Sequence, residues 1–293
     1  MFDFRYHVAS LAAVFVALGL GILVGVGVSS NDTLSHSERK LLNEQKAELL
    51  AERDSAVALL NVLQDQQRAA AAFSSVAYPA VMRDRLKGKR VGIVFVGPSD
   101  SRLRALVEAA LNDASGVQAR FRSLKVPLDE AALQKALAGR PALAKYAGAG
   151  GLEKLGKALG AELVNGGKTP LWNAFSSQLV VERVGGMQGT LDGVVLVRTA
   201  PPQRGATVGF LQGFYTGLGS AGAPLVGVET SDAKVSSMPV YRRLGISSVD
   251  DLQTPAGRLA LAALLAGGQP GHYGLVQSTD AGVLPPLPPT AGG

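Results

Sequence analysis

Residues Arg90–Gly97 read RVGIVFVG. A run this apolar, with no alternation of polar and apolar positions, does not fit a strand with one wet face. It fits a strand buried on both sides, as in a parallel sheet covered by helices. Working outward, comparable runs stand at Val117–Leu124, Gly193–Arg198 (GVVLVR) and Pro224–Thr230 (PLVGVET). Helical spacing separates or follows them near Arg102–Ala114, Asp129–Tyr146, Gly151–Leu163, Leu171–Arg183, Val208–Leu218 and Thr254–Ala266. The expected fold class is α/β, a mostly parallel sheet covered by helices, in one extracytoplasmic domain over residues 89–278.

Upstream the composition changes. Val8–Val28 (VASLAAVFVALGLGILVGVGV) is 21 residues without a charge. As a helix it would be about 32 Å long against about 30 Å of bilayer hydrocarbon, which predicts an uncleaved transmembrane anchor over residues 1–30. A cleaved signal peptide would carry a shorter apolar core and a small-residue cleavage box, and Ser29-Ser-Asn-Asp-Thr33 supplies none. Arg5 and the terminal amine on the short flank place the N-terminus in the cytoplasm and nearly everything else outside, in a single-pass envelope protein. Small residues recur at every fourth position, Ala9, Ala13, Ala17, Gly21, Gly25 and Ser29. On one helix face they form a groove for a second backbone, which makes Ala13, Ala17, Gly21 and Gly25 the expected helix–helix interface.

Residues 31–75 are rich in Glu, Gln, Lys, Arg, Leu and Ala, with neither Pro nor Gly, and predict a long helical stalk. Leu42, Leu49, Ala56, Leu63 and Ala70 repeat every seventh residue, with Leu59 and Phe73 at the complementary position. Glu38, Gln45, Glu52 and Gln66 occupy the rest of that seam, so the coiled coil is marginal. A homo-oligomer through anchor and stalk is the expected assembly. Residues 76–88, with Tyr78-Pro79 and the basic run Arg83–Arg90, read as a connector. At the other end, 279–293 is a Pro-rich tail expected to be disordered.

The chain of 293 residues carries 29 Lys+Arg against 23 Asp+Glu, a net charge of +6. The basic residues are dispersed among acids with few aromatics between them, which argues against nucleic acid and for an anionic membrane surface or an acidic envelope polymer. Cysteine is absent, and the three histidines, His7, His36 and His272, lack a second ligand at metal spacing. Met1, Met82, Met187 and Met238 are far apart in sequence and read as packing. Gly217-Leu-Gly219-Ser-Ala-Gly222 matches G-x-G-x-x-G, but it follows a helix and precedes a strand, the reverse of a phosphate-binding turn, and reads as a helix stop. Outside the carboxyl ends of a parallel sheet the default crevice would gather Ser99, Asp100, Arg198, Glu229 and Asp232. The alternative reading of these residues, as helix caps and ordinary loop polars, stands beside it. No catalytic motif, cofactor site or metal site is legible.

The N-terminal block Phe2–Gly25 (FDFRYHVASLAAVFVALGLGILVG), followed by the charged helix, resembles the actinobacterial MctB copper transport family. The block Gly245–Ala262 (GISSVDDLQTPAGRLALA), with Gly271-His-Tyr-Gly274 after it, is similar to that family's second recurrent stretch. The resemblance implies a membrane protein of copper ion homeostasis, acting as an oligomeric envelope channel with copper as the transported species. It also implies an alternative, a non-transporting cell-envelope or division protein paired with a second membrane protein. An enzyme drawing on Asp100, Glu229 and Asp232 is the third class, and the family supplies no catalytic residue to support it. Independently of the resemblance, Thr254 fits an N-cap with Pro255 at the first helical position.

Overall fold

The run that opens the α/β segment forms strand β1, Arg90–Val96, an interior strand of a seven-stranded sheet in a computed structural model. Residues 4–29, 36–148, 150–276 and 281–289 are described, with side chains for 11–25, 39–148, 150–276 and 281–289. The chain divides into two compact units, Met1–Ala71 and Ala72–Gly293.

In the first unit, helix α1 spans Phe4–Ser29. Among the described residues no helix is long and apolar enough to cross a membrane, so the span over 8–28 rests on the sequence. Ala13, Ala17, Gly21 and Gly25 are exposed residues of α1, and nothing stands within 4 Å of a Cβ built on Gly21 or Gly25. Helix α2, His36–Met82, begins here. Its surface pairs, such as Lys40 with Glu44 one turn on, are the weak kind that support an isolated helix. Leu42, Leu49, Leu59 and Leu63 of the heptad pattern are exposed.

In the second unit α2 continues through Pro79, where the sequence predicts a break into a connector. A proline this close to the helix end forfeits one backbone bond. Packing outweighs the loss, because Met82 is fully buried and Tyr78 and Val81 pack on the core. The Tyr78 hydroxyl donates to Asp113 at 2.7 Å, and the Arg258 guanidinium lies over the Tyr78 ring.

The sheet is completed by β2 (Val117–Leu124), β3 (Val180–Val184), β4 (Gly193–Arg198), β5 (Leu225–Val228), β6 (Ser247–Val249) and β7 (His272–Tyr273), in the order β3-β2-β1-β4-β5-β6-β7. All neighbours are parallel except β2 and β3. The mostly parallel sheet of the sequence reading is thus present. The departure from it is β3, whose residues the sequence assigns to the end of a helix. That helix, α6 (Pro170–Leu179), stops just before it.

Both faces of the sheet are covered, which explains the uninterrupted apolar run. Val94 and Val96 of β1 face a cluster with α4 (Glu130–Ala138), α5 (Gly151–Asn165), α6 and α7 (Ala206–Gly219). Val91, Ile93 and Phe95 face α3 (Ser101–Asp113) and α9 (Pro255–Leu265). Each such side chain contributes about 1.5–3 kcal/mol of apolar burial. The α5–α7 pair is the tightest contact between helices. A Cβ on Gly156 would run into the Phe210 carbonyl oxygen, and one on Gly213 into that of Glu153. The short helix α8 (Met238–Arg243) lies between β5 and β6.

Of the Pro-rich tail, 281–289 is described, and it is tied back to the domain. Arg85 donates to the Pro288 carbonyl at 3.0 Å, Gly274 N–H to Gly282 O at 3.0 Å, and Pro285 is buried. Disorder expected from composition gives way here to backbone acceptors that an arginine and the chain after β7 can reach. Residues 290–293 lie outside the described residues.

Candidate functional site

Ser99, Asp100, Glu229 and Asp232 do not converge on one open crevice. Ser99 Oγ donates to Glu182 at 2.6 Å, and Arg104 donates to the other oxygen of the same carboxylate at 2.6 Å. The Ser99 hydrogen bond and then Arg104 hold Glu182 below the usual carboxylate range. Asp100 caps α3, accepting the Leu103 N–H at 2.9 Å. Asp232 is exposed and pairs with Arg102 at 3.0 Å. Only Glu229 is buried. It accepts from Ser236 Oγ and from the Ser237 N–H, both at 2.6 Å, and burial pushes its carboxyl up against those two bonds.

The place where a doubly wound sheet opens, between β1 and β4, is closed. The N–H groups of Thr199 and Ala200 both donate to Val96 O, at 3.1 and 3.0 Å, and Thr199 Oγ1 donates to Pro98 O at 2.7 Å. Gly97 allows this approach. Its φ is +113°, and a Cβ there would stand 2.7 Å from the Ala200 nitrogen. The G-x-G-x-x-G glycines serve packing and a turn, as the reversed order predicts. Gly217 meets the Lys157 backbone inside the helix pair, α7 ends at Gly219, and Gly222 turns with φ +76°.

One strand further along the sheet there is an opening. A cavity of about 660 Å³ lies outside the carboxyl ends of β4 and β5, with Arg198, Tyr215, Leu211, Val240, Ser237 and Arg243 in its wall. Arg198 comes from the last position of β4, Leu211 and Tyr215 from one face of α7, and Val240 and Arg243 from α8. Arg198 donates to the Tyr215 hydroxyl at 2.6 Å. Burial raises the Tyr215 pKa while Arg198 opposes it, so the phenol stays neutral and keeps its proton to donate. Among the described residues neither Arg198 nor Arg243 forms an ion pair. Glu229 sits behind the wall and fixes the Ser236-Ser237 turn.

Two further groups escaped the sequence reading. Arg120 and Arg122 on β2 are buried and satisfied by carbonyl oxygens. Arg120 reaches Leu163, Met187, Gln188 and Gly189, so the glycine-rich 185–189 segment wraps a guanidinium. Burial, with Arg120 and Arg183 nearby, brings Arg122 down to about 10. Asp250 and Asp251, in the second block of the resemblance, are also fully buried. Asp250 accepts the Leu275 and Val276 N–H groups, while Asp251 accepts from Thr254, which caps α9 through Gly257 N–H at 2.9 Å. That block is structural. Among the described residues no group of three or more His, Asp or Glu side chains is arranged to hold a metal ion.

The family model described as "Copper transport outer membrane protein, MctB" matches residues 1–285. The chain belongs to the MctB family. Its similarity to individual MctB proteins spans nearly the whole of both chains. It is 28% identical to the protein named Copper transporter MctB of Mycobacterium bovis, over 94% of this chain and 96% of the relative. The same identity and coverage hold for the proteins of that name from two strains of Mycobacterium tuberculosis. The two blocks that carry the resemblance to the MctB family fall on α1 and on β6 with α9.

Proposed function

We propose that this chain is a single-span membrane protein of the cell envelope with a role in copper homeostasis, working as an oligomer through its anchor and stalk. The family match across residues 1–285 carries this reading. The uncharged Val8–Val28 run supports the anchor, and the exposed heptad leucines of α2 support self-association. A single apolar span has no polar lining of its own, so conduction would require several copies. With no cysteine in the chain, thiolates play no part in how it handles copper.

Deletion of the gene in its own host tests the copper role. The expected result is raised cell copper and lowered copper tolerance, both restored by the intact gene. Unchanged copper with disturbed envelope or septation would replace this reading by the non-transporting one, in which anchor and stalk bind a second membrane protein. For the anchor, Gly21→Ile with Gly25→Ile should reduce crosslinked oligomer in native membranes, because branched side chains fill the groove. An unchanged crosslinked band would remove the small-residue face from the account.

A further inference from the structure

We propose that the cleft at the carboxyl ends of β4 and β5 binds a small amphipathic anion, a carboxylate or phosphate head on Arg198 with a short apolar body along α7 and α8. The inference is independent of the copper reading. It rests on the composition and the construction of the wall.

The cavity volume of about 660 Å³ lies within the range of small-ligand sites, about 300–1,000 Å³. Arg198 presents five N–H donors, of which one meets the neutral Tyr215 hydroxyl. A guanidinium engaged by a phenol rather than a carboxylate keeps its charge uncompensated, and the fork that remains suits a two-oxygen anion. Arg243 adds a second positive group in the same wall, again without an ion pair among the described residues. Glu229 is the buried carboxylate behind the Ser236-Ser237 part of the wall. It is turned to Ser236 and Ser237, which keeps it off both arginines.

The rest of the lining is uncharged, apolar along the two helices and with Thr199, Gln203, Gln212, Ser236 and Ser237 as neutral polar groups. Val208 and Leu211 of α7, Val240 of α8 and Leu244 just past its end line the cleft. Bare inorganic phosphate would leave that surface wet, and an uncharged hydrocarbon would leave the guanidinium unmet, so the wall selects a molecule carrying both. The wall is also held in place. Tyr241 of α8 donates to Leu196 O at 3.1 Å, and α7 is locked from behind by the glycine contacts with α5. Such a head group could belong to a membrane lipid or to a free organic acid.

The test titrates the full chain, in phosphatidylcholine nanodiscs, with hexyl phosphate, hexanoate, hexanol and inorganic phosphate by calorimetry. Hexyl phosphate or hexanoate should bind saturably, at least about tenfold tighter than hexanol or inorganic phosphate. Arg198→Gln should weaken that binding by about tenfold or more. Val208→Trp, at an exposed position on the rim, should block it while leaving the thermal unfolding midpoint unchanged. Displacement of the bound probe by phosphatidylglycerol vesicles assigns the head group to a lipid, and failure of the vesicles to displace it assigns it to a soluble acid. Absence of saturable binding by either anionic probe, or binding that both variants leave intact, overturns the proposal.

Discussion

The β1/β4 crevice and the β4/β5 cleft are neighbours at the same edge of one sheet, and one is sealed while the other is open. At the first, backbone meets backbone: two N–H groups converge on Val96 O, and glycine at position 97 removes the side chain that would hold the loops apart. At the second, side chains of different length face each other across α7 and α8, and Arg198 stands where the strand ends. A parallel sheet thus nominates an edge for ligand binding but not a position along it. Position is decided by which pair of loops can close at backbone distance.

Three substitutions probe that contrast. The largest effect is expected at α7, the helix that walls the open cleft. Gly213→Ala places a methyl group against the Glu153 carbonyl and must push α7 off α5, at a cost of more than about 3 kcal/mol in urea unfolding. Gly97→Ala attacks the seal directly. A φ of +113° together with a Cβ 2.7 Å from the Ala200 nitrogen should cost about 2–3 kcal/mol. It should also raise hydrogen exchange at the Thr199 and Ala200 amides, whose shared acceptor moves away.

Glu229→Gln is the mildest and reports on pH. Burial raises the Glu229 carboxyl in the folded chain above its ordinary value of 4.5, so the folded state holds this proton more tightly than the unfolded one. Stability therefore declines as pH rises from the ordinary value through the raised one. The variant lacks that slope. Its melting temperature relative to the parent should improve as pH climbs through the window, and a difference that stays flat or runs the other way contradicts the assignment.

How far the sequence discloses this varies with the kind of residue. The strands β1, β4 and β5 are legible because burial on both faces demands an unbroken apolar run, whereas β2 shows only the alternation of Val117, Ala119 and Phe121 with Gln118, Arg120 and Arg122. β3 is not, because an edge strand that is wet on both sides, with Val181 and Val184 exposed, continues the apolar spacing of the helix before it. β6 and β7, at three and two residues, are too short to show any period. Arg198 and Glu229 are legible as the ends of apolar strands. Tyr215 and Arg243 are not, since they reach the cleft from helix faces brought there by tertiary packing. A partial signal was available for Tyr215, which lies four residues from Leu211 on the α7 face turned away from Gly213 and Gly217.

The most direct measurement is amide hydrogen–deuterium exchange of the full chain in nanodiscs with and without hexyl phosphate. The open cleft predicts slowed exchange in peptides covering 198–215 and 235–244, with 97–104 unaffected. Protection at 97–104 instead, or at neither place, would contradict the account.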